Sequence, residues 1–217
     1  DVLGCDASPN TIDELLSTEV IFVFGFLKNR NAVIWNKLRQ AAKAGAKIIV
    51  VNTPETQTSF DFAEKVIDTD NSTSFLKGMA KALIDMGKTS DIEGFDEFAK
   101  SVADAQVCDE IKAAAEAYAN AKKAMIVFQQ NVVSEDAAAL IADIALLSGH
   151  IGTPRDGILE VKAKNNSQGL ADLGIHAGAE AMEGVKGLVI FGEDPKDADL
   201  SGLEFLMVSD IYMTETA

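Results

Sequence analysis

Five short runs constrain this chain most: 20–24, 47–51, 124–128, 187–191 and 205–208, each apolar, most of them β-branched-rich, and each bounded by turn residues. Near-continuous hydrophobicity over five or so residues suits a strand buried on both faces, which is the condition of a parallel sheet. Helical periods lie between the runs. Ile34, Leu38 and Ala41 share one face of a helix that Gly45 is placed to cap, and Phe75, Met79, Leu83 and Met86 form a second stripe. Ile111, Ala114, Ala115 and Tyr118 make a third, and Leu140, Ile141, Ile144 and Leu147 a fourth. Thr11 and Glu14 have the spacing of a capping box that opens a short helix before the first strand. Strands alternating with helices predict an α/β fold, doubly wound and Rossmann-like, with right-handed crossovers.

The pattern predicts two lobes. Residues 1–105 form the first and residues 106–217 the second, echoed by two strands (20–24 and 187–191) that run straight into glycine. With 217 residues, 47% of them hydrophobic, each lobe can bury a core without disulfides or metal.

Charge and cysteine usage exclude several classes of function. A net charge of −15 disfavours nucleic acid, which demands clustered Lys and Arg, and equally disfavours an anionic membrane surface. Cys5 and Cys108 are far apart, and the histidines are only two, His150 and His176. No self-contained zinc or iron–sulfur site is therefore expected. No apolar run approaches the ~18 residues of a membrane span. The chain starts at Asp1 without Met and reads as an excised piece of something longer.

In open parallel sheets ligands bind beyond the carboxyl ends of the strands, so the residues after each run are the first candidates. They include Gly25, Asn52 and Gln129 in the first three turns, with Gly192-Glu-Asp-Pro195 and Ser209-Asp210 in the last two. A glycine there admits a ligand close to the backbone, although a plain tight turn is the commoner reason for one. Neither GxGxxG, GxxxxGK[ST] nor GxSxG occurs, so dinucleotide, P-loop and nucleophile-elbow readings lack their signatures. Glu193-Asp194 reads as a solvated turn and His150 as a loop residue. The stretch Lys162–Gly174 concentrates Asn165, Asn166, Ser167 and Gln168 before an expected helix. Such amides can read the edge of a heterocycle, or simply form a polar loop with a helix cap; chemistry alone leaves the two equal.

Those residues also carry a resemblance. Asn165-Asn-Ser-Gln-Gly169 with Ala171-Asp-Leu-Gly174 resembles the NxQGxxDxG segment of the molybdopterin oxidoreductase family. Ser148-Gly-His-Ile-Gly152 is similar to its TGNIG turn, Phe191-Gly-Glu-Asp-Pro195 to its GExP turn, and 209–217 to its QDxFxTETA segment. Ala42–Val50 matches its AKxxGAKIIV pattern, and the order and spacing agree across nearly the whole chain. Within the family, the run from Gly174 to Gly192 and Asn52-Thr-Pro54 look most like the large iron–sulfur subunit of NADH-quinone oxidoreductase, an NADH dehydrogenase. Formate dehydrogenase α subunits come next.

The resemblance implies two α/β domains enclosing a bis-pterin guanine dinucleotide that holds molybdenum or tungsten. Gly25, Asn52, Asn166, Gln168, Gly192, Glu193, Asp210 and Thr214 would be its contacts in this chain. Iron–sulfur clusters and the metal ligand belong to segments upstream of Asp1. The implied partners are iron–sulfur domains of the same parent and other subunits of a redox complex, in a cytoplasmic setting peripheral to the inner face of the membrane.

Departures from the family pattern favour a scaffold. Where catalytic members have GxNPxxxHP, the chain has Gly25-Phe-Leu-Lys-Asn29 with Asn31-Ala-Val33 at the HP position. Their DPR is Asn52-Thr-Pro54 here, and their YGxG-like turn is Phe128-Gln-Gln-Asn131. The favoured expectation is thus a structural pterin-domain segment of a large iron–sulfur subunit in electron transfer from NADH, inactive alone and without a cofactor of its own. The alternative is a cofactor-gripping part of an active molybdenum or tungsten enzyme such as formate dehydrogenase.

Overall fold

A computed structural model describes residues 7–25, 27–57, 60–162, 164–175, 184–196 and 198–217. Cys5 and His176 lie outside the described residues. The chain divides into a larger unit, through Gln168, and a smaller one, Gly169–Ala217.

In the larger unit a 3₁₀ turn (Ile12–Ser17) precedes β1 (Val20–Phe24), α1 (Leu27–Arg30), α2 (Ala32–Lys43), β2 (Lys47–Asn52) and β3 (Lys65–Asp68). Three helices follow, α3 (Ser72–Asp85), α4 (Phe95–Val102) and α5 (Asp109–Asn120), then β4 (Ala124–Gln129), α6 (Glu135–Ser148) and β5 (Gly157–Val161). The Glu14 carboxylate accepts the Thr11 N–H at 2.8 Å, the Glu half of the expected box. Strand order is β3-β2-β1-β4-β5, every pair parallel.

Both faces are covered, as a parallel sheet requires. Successive side chains of a strand point to opposite faces, and β1 feeds two cores in that way. Phe22 and Phe24 pack with Phe75 and Met79 of α3, Tyr118 of α5 and Ile141 of α6. Ile21 and Val23 pack with Leu15 and with Trp35 and Leu38 of α2. On that second face Trp35 meets Phe60 at 4.4 Å and Phe62 at 4.7 Å between ring centroids. Burial of each such large side chain is worth about 1.5–3 kcal/mol, so the sheet's two faces carry the stability of this unit.

The division expected at 105/106 falls inside the larger unit. Strands β4 and β5 join the sheet of β1–β3, and the break comes after Gln168. The expected boundary falls in the connection between α4 and α5, part of the long crossover that returns the chain from β3 to the far edge of β1.

The smaller unit contains β6 (Gly187–Phe191) and β7 (Phe205–Ser209), a parallel pair in register from Gly187↔Phe205 to Phe191↔Ser209. A short helix, α7 (Ser167–Asp172), spans the division. Both strands read from sequence as buried on both faces, yet only Ile190 is buried, while Phe191 is 70% and Phe205 58% exposed. Among the described residues two strands without flanking helices cannot cover their own apolar faces.

Candidate functional site

Strand order reverses between β1 and β4, since the chain winds outward from β1 through β2 and β3 and then from β4 through β5. That reversal defines the crevice where doubly wound sheets hold ligands. Gly25 stands at its lip with φ +127°, a backbone conformation that favours glycine. A Cβ on Gly25 would lie 2.9 Å from Gln129 Cβ and 3.0 Å from Gln129 Oε1. Gln129 is 3% exposed, and its Nε2 donates to Asn31 Oδ1 at 3.2 Å.

Asn52, at the end of β2, is buried and donates through Nδ2 to Asp68 Oδ1 at 3.4 Å. The turn after it satisfies itself: Thr56 N–H donates to the Thr53 carbonyl at 3.0 Å, and Thr53 N–H to Thr56 Oγ1 at 2.9 Å. Two clefts open here, one of ≈ 380 Å³ over Asn52, Asp68 and Asp70, the other of ≈ 220 Å³ between Glu55, Asp70, Asn71 and Ser134. Their charged lining residues are Glu55, Asp68 and Asp70, all acidic. The helix starts beside them are capped from within. Asn71 Oδ1 accepts Ser74 N–H at 2.8 Å, and Ser134 Oγ accepts Ala137 N–H at 3.3 Å.

Asn166 and Gln168 follow β5. Asn166 is exposed with φ +61°, a left-handed turn position that Asn tolerates, and Gln168 sits half-buried in α7. The amide-rich stretch is thus a tight turn into a six-residue helix, Ser167–Asp172.

In the smaller unit the turn after β6 and the segment after β7 come together. Gly192 (φ +65°) donates its N–H to the Ser209 carbonyl at 2.9 Å, and Asp194 accepts Thr216 Oγ1–H at 2.6 Å and Thr216 N–H at 3.2 Å. These bonds, Thr216 Oγ1–H foremost, with Lys196 Nζ at 3.6 Å, hold the Asp194 carboxyl below its ordinary pKa. Glu193 and Asp210 are exposed, and Asp210 Oδ1 accepts Tyr212 N–H at 3.2 Å. The Thr214 hydroxyl is enclosed and has no hydrogen-bond partner among the described residues.

Sequence reasoning missed a buried polar cluster at the opposite, amino ends of β4 and β5. His150 is a buried residue, not merely a loop position. Its Nε2 donates to the Tyr118 carbonyl at 2.8 Å and its Nδ1 lies 2.6 Å from Asp156 Oδ1. Asp156 also accepts Ala124 N–H at 3.0 Å and Thr153 Oγ1–H at 3.3 Å. The only available signal was Asp156 six residues after His150, a spacing with no periodic pattern to mark it. The cluster opens onto no cleft described at the carboxyl rim and ties α5, β4 and β5 together. Among the described residues no three His, Cys, Asp or Glu are placed to hold a metal ion, and no helix is long and apolar enough to cross a membrane.

Fold and rim define a doubly wound α/β protein whose strands' carboxyl ends form the place for a ligand crevice. No family model matches the chain. It is 28% identical to formate dehydrogenase H of Escherichia coli, in an alignment covering 99% of this chain and 40% of that protein. It is 24% identical to the F420-dependent formate dehydrogenase subunit alpha of Methanocaldococcus jannaschii, covering 99% and 42%, and 24% identical to the F420-dependent formate dehydrogenase 2 subunit alpha of Methanococcus maripaludis, covering 100% and 42%. The chain therefore spans about two-fifths of the length of these relatives. The alignments run over 281 to 286 positions against 217 residues, so the relatives are longer even across the shared span. Among solved structures, one from the formyltransferase/hydrolase complex of Methylorubrum extorquens with methylofuran shares the fold, with TM-score 0.58 and 14% identity over 100% of this chain and 64% of that one. The resemblance to the large iron–sulfur subunit of NADH-quinone oxidoreductase has no counterpart among these relatives.

A pterin guanine dinucleotide carries phosphates, and the two clefts beside the end of β2 do not fit them. Among the described residues these two clefts are lined by carboxylates without a cation, and the helix starts beside them are already capped.

Proposed function

We propose that this chain is the α/β segment of a formate-dehydrogenase-like redox subunit of the molybdopterin oxidoreductase type. The observation that carries the reading is the end-to-end similarity, 99–100% of this chain, to formate dehydrogenase α subunits and formate dehydrogenase H. The segment works inside a larger polypeptide, packed against iron–sulfur domains and other subunits, and has no turnover by itself. Pterin contacts, where the parent makes them, fall on Gly192, Glu193, Asp210 and Thr214 of the smaller unit rather than on Gly25 and Asn52, which the protein's own groups already engage.

A second reading is favoured by the acidic clefts beside β2: a scaffold of the kind expected in a large iron–sulfur subunit of an NADH dehydrogenase, whose pterin site is lost. Pterin fluorescence and molybdenum and tungsten analysis of the intact parent decide between them. Stoichiometric pterin supports the formate-dehydrogenase-like reading. A folded, iron–sulfur-containing parent without pterin supports the scaffold.

A further inference from the structure

We propose that Gln129 is a built-in plug that closes the ligand crevice of the five-stranded sheet. The crevice lies beyond the carboxyl ends of the paired strands β1 and β4, where the chain winds away to opposite sides, and Gln129 ends β4 beside it. A glycine at the end of β1 ordinarily admits a ligand to the backbone. Here the space freed by the missing Cβ of Gly25 is taken by Gln129, whose Cβ and Oε1 lie 2.9 and 3.0 Å from where a Cβ would stand.

The second support is how the side chain is held. Asn31 occupies the position before α2, where an Asn ordinarily accepts an N–H of the first helical turn. It makes no such cap. Its Oδ1 accepts from Gln129 Nε2 instead, so a helix cap has been diverted to clamp the amide. A ligand entering would have to displace a side chain that is 3% exposed and leave the Asn31 oxygen without its donor. The glycine in this turn therefore serves the protein's own packing, and any nucleotide bound by the parent sits elsewhere. This inference stands on the sheet's geometry and holds whichever reading of the parent is correct.

Thermal unfolding of the intact protein, followed by fluorescence of Trp35 in the larger unit's core, tests it. A residue kept for an absent ligand is neutral or stabilising when truncated, whereas a plug is missed. Gln129→Ala is expected to lower Tm by roughly 4–8 °C, and Gln129→Met, which refills the volume, to recover most of that loss. GDP at millimolar concentration, the probe for a phosphate-bearing nucleotide, is expected to leave wild-type Tm unchanged. A GDP-induced rise that survives in Gln129→Ala also supports the plug, since the nucleotide then binds away from it. Three results overturn the proposal: a neutral or stabilising Gln129→Ala, a Gln129→Met no better than Ala, or a GDP-induced rise that Gln129→Ala abolishes. Should the Ala variant fail to fold, Gln129→Met with and without GDP decides: a Tm within a few degrees of wild type, unmoved by GDP, supports the plug.

Discussion

Removing the Asp156 carboxylate is the sharpest probe of what holds the larger unit together. Asp156 and His150 are each 5% exposed. The Tyr118 carbonyl can only accept, so His150 Nε2 carries a proton, and a further proton must lie in the 2.6 Å contact between Nδ1 and Asp156. Asp156→Ala strips the acceptor from His150 and from the buried Ala124 N–H, and removes the carboxylate 3.5 Å from Lys123 Nζ, which keeps its bond to Thr153 Oγ1. Breaking one side of a buried pair costs about 3–5 kcal/mol, because the other side stays buried and uncompensated. For a unit of this size each kcal/mol moves Tm by about 2–4 °C, so the expected fall is roughly 6–20 °C. Urea unfolding followed through Trp35, the single tryptophan, reads the same loss as a lower midpoint at unchanged slope. Asp156→Asn keeps an acceptor for Ala124 and should fall in between. A variant Asp156→Ala within about 1 kcal/mol of wild type would refute the view that this cluster pins α5 to β4 and β5.

Three further outcomes are expected. The Tyr118 hydroxyl is fully buried without a partner among the described residues, and burial, with a smaller contribution from Asp156, pushes its pKa far up. Tyr118→Phe should therefore match or exceed wild-type stability in chemical denaturation; a loss above about 1 kcal/mol would contradict this. Burial also raises the Asp143 pKa. The native state then binds the extra proton, so stability falls as pH rises from the unfolded carboxylate's pKa through the raised one. Asp143→Asn should raise Tm at pH 7 and lose that advantage in acid; an advantage that grows on acidification would count against the reading. For Asp194 the sign is opposite, with Thr216 first among the causes that lower its pKa, so the bond is present above the ordinary carboxylate range and lost only as pH falls through the lowered value. Asp194→Ala should abolish slow amide exchange at Thr216, and unchanged protection would show that the two turns are held otherwise.

Much of the larger unit is legible in the sequence because its strands are buried on both faces: 20–24, 47–51 and 124–128 stand out as apolar runs, and the α2, α3, α5 and α6 stripes carry the period of their buried faces. β3 does not stand out, because Lys65-Val-Ile-Asp68 is a four-residue edge strand with an alternating, half-polar face. β5 is hidden by Glu160, which pairs with Lys162 at 3.0 Å within an otherwise apolar strand. Without these two strands the single sheet is not visible and the lobe boundary is displaced. At the rim, Gly25 and Asn52 are legible as positions but not as functions. What a glycine admits depends on the side chain facing it, and the pairing of Gln129 with Gly25 and Asn31 joins residues about a hundred positions apart, beyond any local pattern.

The proposed membership of this segment in a formate-dehydrogenase-like redox subunit is tested most directly by formate-dependent reduction of a viologen dye with the intact parent protein. Dye reduction that needs formate and is absent from the 217-residue chain alone is expected. An intact, iron–sulfur-loaded parent inert to formate would contradict it.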